Sequence, residues 1–187
     1  MPSSDHKKIT QMEWDELEEH IQTETRGKKR SLTKENALIE YFGPEEFEYL
    51  KKLANHSRAT RSRAPVSGNV VFLHGIMGSN LITREKDGDE DLIWVSILRL
   101  AQGQIERLRL TPDGKKEADT DFVVEPTDLD KRTYARAILW LRARWNVQPF
   151  AYDWRKDIDT ASDALADFIK SKFGDAPVNL VAHSMGG

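Results

Sequence analysis

Three short apolar runs decide what this chain can fold into. The first, Val70-Val71-Phe72-Leu73, is continuous, rich in β-branched residues and closed by His74-Gly75, the pattern of a strand buried on both faces. The second spans Val147 to Tyr152, where Pro149 weighs against the assignment because a proline cannot donate to a sheet ladder. The third, Val178 to Ala182, is another such run, entered through Pro177. An amphipathic helix from Thr133 to Trp145, striped by Tyr134, Ala137, Ile138, Leu141 and Trp145, precedes the second run. Another, from about Thr160 to Phe173, precedes the third, with Ala161, Ala164, Leu165, Phe168 and Ile169 on one face and Thr160 with Asp163 as a capping pair. Strands alternating with helices of this length predict parallel strands joined by right-handed crossovers, hence an α/β fold on a doubly wound, mainly parallel sheet.

Ahead of the first run the pattern changes. Residues 1–65 predict a helical N-terminal extension, in which Trp14, Leu17 and Ile21 recur at helical spacing and Leu38, Ile39, Tyr41 and Phe42 form a second set. Gly43 punctuates, Pro44 suits a first helical turn, and Phe47, Leu50 and Leu53 follow on one face. Residues 57–68, with Arg58, Arg61 and Arg63 among turn formers and no apolar period, read as a solvated linker. That places a second domain over residues 66–187. Residues 80–132 interrupt it with an apolar patch (Leu92, Ile93, Trp94, Ile97, Leu98, Leu100), a turn at Pro112-Asp113-Gly114 and a strand at Phe122-Val123-Val124. An insertion after a strand's carboxyl end lies above the place where open α/β sheets bind ligands.

Several function classes drop out on composition. Lys plus Arg number 28 against 31 Asp plus Glu, a net charge of −3, which gives no electrostatic case for nucleic acid or an anionic membrane surface. The absence of Cys excludes disulfides, thiolate catalysis and Cys-ligated metal. No His, Asp or Glu cluster suggests a metal site and no glycine loop a phosphate site, so neither metal nor cofactor is expected. The opening residues are too charged for a signal peptide, and no run approaches the roughly 20 apolar residues of a membrane span, which predicts a cytoplasmic protein with no transmembrane segment.

The chemistry sits at the ends of two of the strands. Val178 to Val181 runs into Ala182-His183-Ser184-Met185-Gly186, a small-x-Ser-x-Gly turn of the nucleophile-elbow type, in which small residues two positions either side let the backbone fold tightly around Ser184. Ala182 stands where the first glycine is usual and keeps the small size. The other strand ends in His74-Gly75-Ile76-Met77-Gly78-Ser79, where a glycine lets the chain bend so that the next amide points at a substrate carbonyl oxygen. The expected oxyanion donors are the amide of Met185 and one from Ile76 or Met77.

With these two motifs the sequence resembles the lipases of the α/β-hydrolase fold. Tyr152-Asp153-Trp154-Arg155, after the second run, is similar to the Tyr-Asp-Trp-Arg signature of the lecithin:cholesterol acyltransferase-like lipases and acyltransferases. The resemblance covers about Val70 to Gly187 and leaves out the N-terminal helices. It implies a serine enzyme acting on lipid or other acyl esters, with an apolar acyl pocket and a mobile lid. Residues 80–132 are then the lid, Trp94 holds the position of an early lid tryptophan, and Asp153, Trp154 and Arg155 either contact substrate or, for Asp153 and Arg155, form an ion pair that pins the loop.

A serine hydroxyl needs a base, a histidine oriented by a carboxylate, and in this fold both follow the nucleophile along the chain. Three residues follow Ser184, and none of His6, His20, His56, His74 or His183 is a convincing base. The expectation is therefore an incomplete α/β-hydrolase, the front of a longer protein, with its acid and histidine beyond Gly187 and its last strand at an open edge. Alone, it is expected to be inactive and prone to aggregate. Two other functions remain open: a non-catalytic binding module on the same scaffold, and a small-ester or thioester hydrolase.

Overall fold

The computed structural model describes residues 4–22 and 29–187, with side chains described from Lys8 to Gln22 and from Lys34 onward; the His6 side chain lies outside the described residues. Among the described residues the chain is α/β, with seven α-helices and two small sheets, one parallel and one antiparallel. The helices are α1 (Ser4–Gln11), α2 (Trp14–Gln22), α3 (Lys29–Phe42), α4 (Pro44–Arg61), α5 (Ile97–Ala101), α6 (Lys131–Arg142) and α7 (Ile158–Phe173). The strands are β1 (Asn69–Leu73), β2 (Ser79–Glu85), β3 (Glu90–Trp94), β4 (Phe122–Leu129), β5 (Asn146–Phe150) and β6 (Val178–Ala182). No helix of the described residues is long and apolar enough to cross a membrane.

Two compact units form. The first joins the described residues up to Val70 with Lys131–Val147. Residues 66–187 are therefore not one unit, because α6 packs on α4 among the N-terminal helices. Trp14, Leu17 and Ile21 of α2 are buried as their spacing predicts, and Pro44 opens α4, where its missing N–H costs nothing. The linker expected at 57–68 starts later: α4 continues to Arg61, Ser57 is fully buried, and Arg61 pairs with the buried Glu18. Glu18 also faces Arg142 at 3.4 Å, so two arginines far apart in the chain share one desolvated carboxylate. The buried face of α6 is Tyr134, Ala135, Ile138, Leu139 and Arg142, so Tyr134 and Ile138 of the expected stripe are buried while Ala137, Leu141 and Trp145 are only half-buried. Lys131 opens this helix fully buried, its Nζ donating to the Thr10 carbonyl at 3.0 Å and lying 5.0 Å from the centroid of the Trp14 ring.

The second unit comprises Val71–Asp130 and Gln148–Gly187. Its parallel sheet has the order β5-β1-β6, so β1 is central. β1 is buried along Val70–Leu73, as a strand with two neighbours should be. Pro149 is accommodated because β5 lies at an edge, where a missing donor need not face a partner. The last strand lies at an edge as expected: β6 is opposite β5, with Asn179, Leu180 and Ala182 exposed, so its apolar run is not buried on both faces as that of β1 is. One face of α7, including Leu165, Phe168, Ile169 and Phe173, packs on a cluster of Val71, Leu73, Phe150 and Tyr152. Its cap is Asp157, which accepts from the Thr160 amide at 2.8 Å and the Thr160 hydroxyl at 3.0 Å, so the Thr160–Asp163 pair expected to cap this helix does not.

Residues 79–129 build a second sheet, in the order β3-β2-β4 and antiparallel throughout. The strand expected at Phe122 is present and extends to Leu129. β2 was missing from the sequence reading, although Asp87-Gly88 with Gly88 at φ 95° is a hairpin signal directly after it. Leu81, Phe122 and Val124 form the buried centre of this sheet, with Trp94, Leu108 and Trp154 packed against it.

The observed face of α6 is testable. Leu139→Ala should cost about 2–5 kcal/mol in urea denaturation, while Trp140→Ala, at a 66% exposed position, should stay within about 0.5 kcal/mol; equal losses would contradict the helix orientation.

Candidate active site

The ends of β1 and β6 place the two sequence motifs against each other. His183 N–H donates to the Leu73 carbonyl at 3.0 Å, carrying the strand pairing to the edge of the turn. Ser184 then takes φ 54°, a left-handed conformation that is uncommon for a residue with a Cβ, and the amides of Gly186 and Gly187 close onto the carbonyls of His183 and Ser184 at 3.0 and 3.1 Å. The Ser184 side chain is exposed and makes no hydrogen bond among the described residues. A Cβ on Gly75 would lie 2.9 Å from the Ser184 Cβ and 3.1 Å from His183 Nδ1, so the bend after β1 abuts the serine directly. A Cβ on Gly186 would lie 2.7 Å from the His74 carbonyl and 2.9 Å from that of Leu73. At Gly186 backbone meets backbone, and at Gly75 backbone meets the Ser184 and His183 side chains, so neither position has room for a Cβ.

The bend itself is a β-turn, Gly75 to Gly78, closed by Gly78 N–H donating to the Gly75 carbonyl at 3.0 Å. Of its two central residues only Met77 has positive φ, at 61°, the type II pattern that glycine usually supplies. Ile76 and Met77 are 57% and 48% exposed, and the amides of Ile76, Met77 and Met185 have no hydrogen-bond partner among the described residues. The structure thus brings Ser184 and the three expected oxyanion residues to one end of one sheet.

The tryptophans and the ion pair sit around this turn in structural roles. Trp94 Nε1 donates to the Met77 carbonyl at 3.0 Å, Trp154 Nε1 to the Ser79 carbonyl at 3.3 Å, and the two rings meet edge to face at 5.4 Å. Arg155 donates to Asp153 Oδ2 at 2.6 Å, to both Glu117 oxygens at 3.0 and 3.1 Å, and to the Leu108 carbonyl at 2.9 Å. Its side chain is 5% exposed. Burial works against its charge, but the hydrogen bonds to Asp153 and Glu117 outweigh that and raise its pKa. The pinned-loop alternative thus describes the geometry of Asp153 and Arg155, with Glu117 as a partner no local signal announced, being 38 positions away.

His74 and Tyr152 complete the surroundings. The fully buried His74 ring stacks on Tyr152 at 4.0 Å, and Tyr152 donates its hydroxyl to the His74 carbonyl at 2.8 Å and its amide to His74 Nε2 at 3.1 Å. With Nδ1 engaged by the Gly75 carbonyl at 2.7 Å, both ring nitrogens of His74 are occupied. His20 meets Glu16 and Lys34, and His56 lies exposed on α4, both in the first unit. Among the described residues no group of three His, Asp or Glu is placed to hold a metal ion. No protein-family model, no curated protein and no solved structure matches this chain.

Two outcomes follow. Gly186→Ala should destabilise the protein by about 1–3 kcal/mol, since the built Cβ meets backbone that can give little, and a thermal melt unchanged from wild type would contradict this contact. Burial, opposed by the hydrogen bond to Gly75, lowers the His74 pKa below its ordinary 6.5. The unfolded chain then takes up a proton that the folded one refuses. Stability present above about pH 6.5 is lost as pH falls toward the folded pKa, and urea midpoints measured across this range should fall more steeply in wild type than in His74→Asn.

Proposed function

We propose that this chain carries the nucleophilic part of a serine hydrolase of the α/β-hydrolase type that acts on acyl esters, with Ser184 forming the acyl-enzyme. The observation that carries the reading is the strained Ser184, φ 54°, held at the end of β6 against the glycine bend that ends β1. A left-handed serine in a tight strand-to-turn corner is what an exposed nucleophile requires, since the corner lifts Oγ clear of the sheet. Free amides at Met185 and in the Gly75–Gly78 turn supply the second requirement, donors aimed where an oxyanion develops.

In the reaction, Ser184 Oγ attacks the ester carbonyl and loses its proton to a base. The tetrahedral oxyanion is held by the Met185 amide and one from the turn, and the alcohol leaves protonated. Water or a second alcohol then takes the acyl group from Ser184. The base is a histidine oriented by a carboxylate, and His74, with both ring nitrogens engaged, is not it. The resemblance to lecithin:cholesterol acyltransferase-like enzymes supports a lipid acyl ester as substrate and makes residues 80–132, which carry most of the antiparallel sheet, the lid. The exposed Ile97 and Ile105 of that segment are consistent with an apolar substrate.

A fluorophosphonate probe tests the assignment on the natural polypeptide that carries these residues. Stoichiometric labelling that disappears in Ser184→Ala is expected; an unlabelled protein would favour a non-catalytic binding module. Turnover that climbs steeply once a long-chain ester aggregates separates the lipid reading from a hydrolase of small esters or thioesters.

A further inference from the structure

Building on the hydrolase reading above, on which it rests, we infer that His74 is a positioning residue. Its neutral imidazole, protonated on Nδ1, holds the Gly75–Ile76 peptide so that the Ile76 amide, and not that of Met77, is the turn's oxyanion donor.

The inference starts from which atoms can donate. Gly75 O only accepts, so the His74 Nδ1 that lies 2.7 Å from it carries the proton. The Tyr152 amide only donates, so the Nε2 at 3.1 Å presents its lone pair. Two backbone groups thus select one tautomer of a fully buried ring, and stacking on Tyr152 at 4.0 Å and 12° fixes its plane.

What that ring holds is one face of a single peptide group. The Gly75 carbonyl accepts from His74 Nδ1 and also from Gly78 N–H at 3.0 Å. In a planar trans peptide the N–H points opposite to the C=O, so two donors gripping the carbonyl also aim the Ile76 N–H, which has no partner among the described residues. That nitrogen is one bond removed from the carbonyl carbon attached to the Gly75 Cα, the atom whose absent side chain leaves room for Ser184. The next peptide, Ile76–Met77, is hydrogen-bonded at neither end among the described residues. A donor acts on a transition state without reorganisation only if it is already fixed, and of the two turn amides Ile76 alone meets that condition.

The test separates positioning from packing. In the natural polypeptide at pH 7, the imidazole nitrogen shifts of His74 in a long-range proton–nitrogen correlation spectrum should show the Nδ1–H tautomer; an Nε2–H or doubly protonated ring overturns the inference. With a p-nitrophenyl ester, His74→Leu, which lacks the donor, should lower kcat about 10²–10³-fold with little change in KM. His74→Asn, whose amide can still reach the Gly75 carbonyl, should recover kcat to within about tenfold of wild type. A Leu variant with wild-type kcat, or an Asn variant as impaired as the Leu one, overturns it. If the Leu variant does not fold, the tautomer spectrum and the Asn variant decide. A wild-type protein that fluorophosphonate leaves unlabelled removes the hydrolase reading itself; one that labels and turns over, with an unimpaired Leu variant, removes only the role of His74.

Discussion

Backbone touching backbone at the ends of β1 and β6 is the constraint around which the second unit is arranged. A methyl group added at Gly186 would come within 3.0 Å of three atoms of Leu73 and His74, and one added at Gly75 would come within 2.9 Å of the serine Cβ. Such proximity forces the chain to leave β6 at once, which puts Ser184 in the left-handed region, and to leave β1 in a tight turn, which does the same to Met77. Among the described residues, the two with side chains and positive φ both follow from this close approach. Strain of this kind, of order 1–3 kcal/mol per residue, persists only where surrounding structure over-determines it.

The surrounding structure does so through polar groups whose partners are fixed. Ser79 Oγ donates to the Tyr152 carbonyl at 2.7 Å, Tyr152 clamps His74, and Trp94 and Trp154 hold the carbonyls of Met77 and Ser79. Behind them Arg155 gathers Asp153, Glu117 and the Leu108 carbonyl into a cluster that Lys156 joins at 3.1 Å from Glu117. Two carboxylates and two cations balance there, which matters because an unpaired charge at such burial would be strongly destabilising. The loop after β5 and the segment 108–117 are tied by charge as well as by the apolar cluster on which Trp154 and Leu108 both pack, and the Tyr-Asp-Trp-Arg run builds the wall of the turn.

Much of this was legible. Val70–Leu73 announced a central strand because continuous β-branched runs suit burial on two faces, and the pairing of His74-Gly75 with Ser184 followed from small residues at the strand ends, which signal close approach wherever they fall. An open edge for the last strand was also legible, and β6 lies at the edge of the order β5-β1-β6. Other features were not legible. Residues 57–61 looked like linker because nothing local tells an arginine that will meet a buried carboxylate from one that will face water. The buried stripe of α6 was legible at Tyr134 and Ile138 but not beyond them, because Leu139 and Leu141 are equally apolar and only the helices beside them choose between the faces. β2 escaped because Ser79 closes the glycine motif and Asn80 opens the insertion, while together they also start a hairpin.

The sequence by itself determined the alternation of strands and helices, the serine in its tight corner and the glycine bend that answers it, since these depend on backbone conformations that only certain residues allow locally. Tertiary structure alone decided that the Tyr152 amide faces His74 Nε2 and that Arg155 meets Glu117 besides Asp153. Those partners lie 78 and 38 positions away, and no local preference of a chain encodes a partner at that distance.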